Sequence, residues 1–480
     1  GGAVTRARGA TLAATLLGCS LFAGCGPSSK EPNSPGADPG ARATAPAAGG
    51  AASDVRRADA EVAAALELVS RVRELQVKAK VPGFLLNREQ LHLEVERTLK
   101  DEAPDALIAG NTELLYAFDV VGADFDLRNA LTQMYGAQLA GFYDPDEDRM
   151  VLASDLSKDE QALTLYHELV HALQDQHYDL AGELDWKPEE SDRQTALQAL
   201  AEGDATLAML DVARAAAGLG PGDFPAELLQ MDALLMQASP KLDEVPGFLV
   251  RAMVSPYADG LRFVSEIRKR GGWGAVNEVW RHRPSSTEQI LHPEKYLSRE
   301  PVRPVPPLSL PSEFSAPSFR DVMGEQGLKL LFEEWAPASA AANAATGWGG
   351  DRIAVANGPA GTTVFWHLEF DDEDAARRAL VSMARGALRD ELGQALPKVR
   401  PTVDGTTAEK AVASGRFCKA RPARGPFAIV RHGTHLGVTL GPYRRGRTAD
   451  ASADKCPDAL TWADTLARQS GRPDKPAKSQ

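Results

Sequence analysis

The chain has 480 residues, 43% of them hydrophobic and 25% charged, with a formal net charge of -13 at pH 7. That length leaves room for two or three domains with ordinary cores. Its acidic residues are scattered and no basic face stands out, which argues against nucleic acid as a partner.

The first 25 residues read as a targeting segment. Arg6 and Arg8 precede an apolar stretch from Leu12 to Ala23 that is too short for a bilayer span and is laid out as a secretory signal. The run Leu21-Phe22-Ala23-Gly24-Cys25 resembles a bacterial lipobox, whose cysteine is acylated. Leu16-Leu17-Gly18-Cys19 is a second candidate, and a plain signal peptide is the alternative. The resemblance implies an extracytoplasmic protein held to a membrane through Cys25. Residues 26–55, rich in Pro, Gly, Ala and Ser, are expected to be a disordered tether. Export implies an oxidising compartment, where the remaining Cys418 and Cys456 are expected to pair.

Helical periodicity begins near residue 56, with Val62, Leu66, Leu68, Val69 and Val72, and Pro82-Gly83 breaks it. Leu91, Val95 and Leu99 mark a second helix, and 106–121 a third. Residues 136–143 have strand-like spacing, the acidic cluster from Asp144 to Asp148 reads as a solvated turn, and 149–153 form a second strand, together a hairpin signal. Long helices are expected over 192–217, 226–238, 257–270 and 273–281, followed by a proline-rich extended connector over 298–318. Strands are expected at 352–357, 362–370, 427–430 and 436–440, with helices at 374–392 and 460–468. The expected architecture is α+β: a mainly helical domain with a small antiparallel sheet over 56–335, then a smaller α+β domain over 340–470.

The chemistry concentrates between Ser157 and Gln174. Ser157 with Glu160 forms a capping box, and Leu163, Tyr166, Leu169, Val170 and Leu173 continue a helix. On it, His167 and His171 are four residues apart, so both imidazoles leave the same face one turn apart and can meet one tetrahedral Zn²⁺. Glu168 adjoins the first histidine and suits a general base acting on water. The pattern is H-E-x-x-H, informative because it falls on a capped helix after a hairpin. For a third ligand, Glu202 sits in an apolar helical stretch beside Gly203. The rival is His177, although Gln174 stands where the corresponding pattern needs a turn-forming glycine, and a continuing helix would rotate His177 away. Tyr257 and His292 are candidate oxyanion donors, and Asp204 a candidate for orienting a ligand.

His167, Glu168, His171 and a glutamate on a following helix resemble the gluzincin branch of the zincin metallopeptidases. Residues 167–177, 286–296 and 347–352 also resemble a group of bacterial exported lipoproteins. The first resemblance implies Zn²⁺ on His167, His171 and Glu202, Glu168 as proton acceptor, and peptides or proteins as substrates. Two alternatives stay open: a zinc hydrolase acting on other bonds, and a surface lipoprotein that binds a partner and keeps zinc structurally.

Overall fold

The computed structural model describes residues 48–138, 140–180, 183, 186–222, 245–388, 414–447 and 456–469. The signal and anchor segment with Cys25, most of the tether and the helix expected over 226–238 lie outside the described residues. The fold is α+β, with helices dominating the first part of the chain and an antiparallel sheet the last.

The first helices and strands are α1 (Ala48–Arg73), β1 (Gly83–Leu86), α2 (Arg88–Glu102), α3 (Asp105–Ala117), α4 (Leu127–Gln138), β2 (Gly141–Asp144), β3 (Arg149–Ala153), α5 (Lys158–Tyr178) and α6 (Ser191–Ala216). Helix α1 begins at Ala48, inside the 26–55 stretch expected to be disordered. No helix runs through Pro82-Gly83, as expected, and Gly83 opens a short strand that lies close on α1, since a Cβ there would come 2.7 Å from Val62 Cγ2. One further expectation needs correction. Residues 136–138, read as strand, are the last turn of α4, whose Leu127, Leu131, Met134 and Tyr135 are buried at helix spacing.

The rest comprises α7 (Gly247–Arg281), α8 (Thr287–Leu291), α9 (Pro293–Leu297), β4 (Phe319–Asp321), α10 (Gly324–Glu333), α11 (Ala338–Ala345), β5 (Trp348–Gly358), β6 (Gly361–Phe370), α12 (Glu373–Ala387), β7 (Arg416–Lys419), β8 (Phe427–His432), β9 (His435–Tyr443) and α13 (Cys456–Ala467). The helix expected over 257–270 begins earlier, at Gly247, with Pro256 inside it, and the expected break near 271 is a kink at Gly271 and Gly272, the latter at φ 64°.

The chain divides into two compact units. The first draws on the described residues within Gly1–Glu102, Thr132–Asp185 and Ala201–Leu229. Its sheet has the order β1-β3-β2, with β1 parallel and β2 antiparallel to β3. Helix α5 packs on β2 and β3, and α1 packs on α5 and β1. Leu169, Val170 and Leu173 are fully buried on α5, each contributing roughly 1.5–3 kcal/mol by leaving water.

The second unit draws on Ala103–Leu131, Trp186–Leu200 and the described residues within Gln230–Gln480. The boundary expected near 335–340 therefore runs inside it. Its sheet is antiparallel throughout, in the order β4-β5-β6-β9-β8-β7, and begins with β4 upstream of that boundary. Helix α13 crosses β9 at Gly437, where a Cβ would come 1.9 Å from the Ala463 carbonyl oxygen. A disulfide joins Cys418 on β7 to Cys456 at the start of α13.

Candidate metal centre

Helix α5 starts where its capping box places it. Ser157 Oγ accepts from the Glu160 amide at 3.3 Å, and Glu160 Oε2 accepts from the Ser157 amide at 2.9 Å. That fixes the helical phase of the residues downstream. His167, Glu168 and His171 turn inward, exposed by 4%, 0% and 1%, and Glu202 on α6 by 2%.

The three expected ligands converge. His167 Nε2 lies 3.2 Å from Glu202 Oε2 and 3.2 Å from His171 Nε2, and His171 Nε2 lies 3.4 Å from Glu202 Oε2. Donors at about 2.0–2.1 Å from a tetrahedral centre are themselves about 3.3 Å apart, so two imidazoles and a carboxylate are spaced as three corners of one tetrahedral metal coordination sphere. Among the described residues the group stops at these three donors. His177 is not one of them. Its Nε2 donates to the Gln76 carbonyl at 2.7 Å.

The electrostatics fit a cation. Burial pushes the Glu202 carboxyl up, but the imidazoles of His171 and His167 outweigh it and hold it below the usual carboxylate range. Burial pushes His171 down, and Glu202 outweighs it, raising this imidazole above its ordinary value. Burial wins at His167, which is lowered. The carboxylate thus draws positive charge to the point where the donors meet.

Glu168 is tied to the sheet. Its Oε2 accepts from the Tyr143 backbone amide on β2 at 3.0 Å. The Tyr143 hydroxyl bonds to Asp148 at 3.1 Å and to Asp175 on α5 at 3.3 Å, and burial with these carboxylates pushes the phenol far up, keeping it protonated. The acidic turn is therefore not simply solvated. Asp144 is 2% exposed, accepts from the amides of Asp146 and Glu147 at 3.2 Å each, and meets Arg149 at 3.1 Å.

Sequence reasoning missed Gln174 as a partner of the site. Its Oε1 meets His171 Nδ1 at 2.8 Å. The available signal was position, three residues beyond His171 on the same helix face. Tyr257 and His292 belong to the second unit. Tyr257 is 3% exposed within α7, and His292 Nε2 meets Glu325 Oε1 at 2.8 Å, which raises its imidazole. Among the described residues a second group able to gather a cation, Glu288, Glu300 and Asp371, already surrounds the Lys295 ammonium at 2.5, 2.9 and 2.6 Å.

Fold and site together define an α+β protein with a buried His/His/Glu group able to hold a metal. Residues 105–221, which contain all four side chains, match the model of a family described as "Putative metallopeptidase family (DUF6782)". Residues 313–446, which contain every strand of the second sheet, match a "Domain of unknown function (DUF8575)". No curated protein and no solved structure matches the chain.

Proposed function

We propose that the protein is a zinc-dependent peptidase whose metal is held by His167, His171 and Glu202. The observation that carries this reading is the convergence of two Nε2 atoms and one carboxylate oxygen at 3.2–3.4 Å beside a further carboxylate, Glu168. When bound, zinc supplies Lewis-acid activation of a water and of the scissile carbonyl. Glu168 takes the proton of the attacking water and returns it to the leaving amine. The Tyr143 amide holds one carboxylate oxygen of Glu168 and so fixes its orientation. Export and a lipid anchor at Cys25 belong to the same proposal, and the Cys418–Cys456 disulfide is of the kind that an oxidising compartment preserves.

One observation favours a second reading, a structural zinc in a binding protein: all four side chains are 4% exposed or less. Against it, structural sites almost always close with four protein ligands, and among the described residues the group here has three. Casein hydrolysis by zinc-reconstituted wild type and Glu168→Gln separates the readings. The peptidase reading expects cleavage by the wild type and a loss on the order of 10²–10⁴-fold in Glu168→Gln with zinc retained. Zinc bound by both proteins with no peptide turnover in either defeats it.

A further inference from the structure

We propose that Gln174, clamped by the buried Arg73–Asp204 ion pair, is a positioning residue. It holds the His171 ring with its proton on Nδ1 and its Nε2 lone pair turned to the metal position. The inference rests on the metal-site reading above.

The hydrogen-bond pattern allows one arrangement. Gln174 Nε2 lies 3.0 Å from the Ala201 carbonyl oxygen and 3.2 Å from Asp204 Oδ2. A carbonyl and a carboxylate only accept, so the amide nitrogen must face them and Oε1 must face His171. Oε1 can only accept, so the proton of that 2.8 Å contact sits on His171 Nδ1. The neutral ring then presents a bare Nε2, the state that a metal needs.

Gln174 is itself held. Asp204 receives Arg73 Nε at 2.5 Å and Arg73 Nη2 at 2.9 Å, one bond to each oxygen. Arg73, Asp204 and Gln174 are all 0% exposed. A buried two-point ion pair of this kind is rigid, and removing either partner strands the other charge. The anchors lie where they can align both ligand-bearing helices. Ala201 and Asp204 flank Glu202 on α6, and Gln174 follows His171 on α5. Arg73 ends α1, so a residue far from the H-E-x-x-H motif in sequence secures one of its ligands.

Zinc affinity of the full chain, measured by competition with a chromophoric chelator, tests this together with the proton NMR signal of His171 Nδ1–H in the zinc-loaded protein. Gln174→Met keeps the length and removes the acceptor. Its zinc dissociation constant is expected to rise on the order of 10–100-fold, with the Nδ1–H signal lost to solvent exchange. Arg73→Met combined with Asp204→Asn removes both charges together, so neither is stranded, and leaves Gln174 the Ala201 carbonyl and an amide oxygen to donate to. This double variant is expected to lose less affinity than Gln174→Met and to keep the Nδ1–H signal, an ordering that simple packing would not produce. Wild-type affinity in Gln174→Met overturns the inference. If Gln174→Met does not fold, the zinc-loaded wild type decides, and a His171 ring without a proton on Nδ1 overturns it. A wild type that takes up no zinc removes the metal-site reading first, and the inference with it.

Discussion

Two imidazoles and two carboxylates are buried together at the centre of the first unit, where each unpaired charge would cost several kcal/mol. A partner offsets that cost for each carboxylate: Glu202 has both histidines, and Glu168 has the Tyr143 amide. H-E-x-x-H is legible because its geometry is local and set by helix pitch. Gln174 was visible in position but not in role, and Arg73 not at all, because its partner Asp204 is 131 residues away and only the fold brings them together. The same holds for His367. Nothing near it in sequence suggests a partner, yet on β6 it is 0% exposed with its Nε2 3.2 Å from His435 Nδ1 on β9. Burial, reinforced by His435, pulls His367 down to about 3. The unfolded chain binds this proton near pH 6.5. The contribution is therefore complete above about pH 6.5 and is lost as pH falls toward 3, because the unfolded state binds more protons in that window. Thermal melts of His367→Gln should fall less steeply over this range than those of the wild type. Parallel curves would show that His367 does not titrate on unfolding.

At the scale of elements, legibility followed length and local punctuation. The helix carrying the histidines was readable from its cap and apolar face, and β5, β6, β8 and β9 from their alternation. Strands β1, β4 and β7 were not, having four, three and four residues. Strand β1 gains its identity only by pairing with β3, where Gly83 faces Met150. The first turns of α7, from Gly247, fell outside the stretch read as helix, and Pro256 sits inside the helix, where proline is disfavoured. The capping box makes a prediction of its own. Ser157→Ala removes the acceptor for the Glu160 amide and should destabilise the protein by about 1 kcal/mol, measured by denaturant unfolding. Zinc affinity should change little, since the histidines lie more than two turns from the cap. A large loss of zinc with stability unchanged would mean that the cap sets the site rather than the helix.

At the scale of the molecule, the α+β class was legible while the partition was not. Contacts distant in sequence assign 103–131 and 186–200 to the second unit, and no linker composition marks those crossings. Helix α6 belongs to the second unit up to Leu200 and to the first from Ala201, just before Glu202. The proposed anchor is a whole-molecule property as well. Cys25→Ser should move the protein from the membrane to the soluble fraction on cell fractionation, and unchanged membrane partition would refute acylation at this cysteine. The central claim is that His167, His171 and Glu202 hold one metal ion, and elemental analysis after zinc loading and gel filtration tests it most directly. The account predicts about one zinc per wild-type chain and essentially none in the folded His167→Ala/His171→Ala double variant. A wild type that retains no zinc, or a double variant that retains as much, would contradict it.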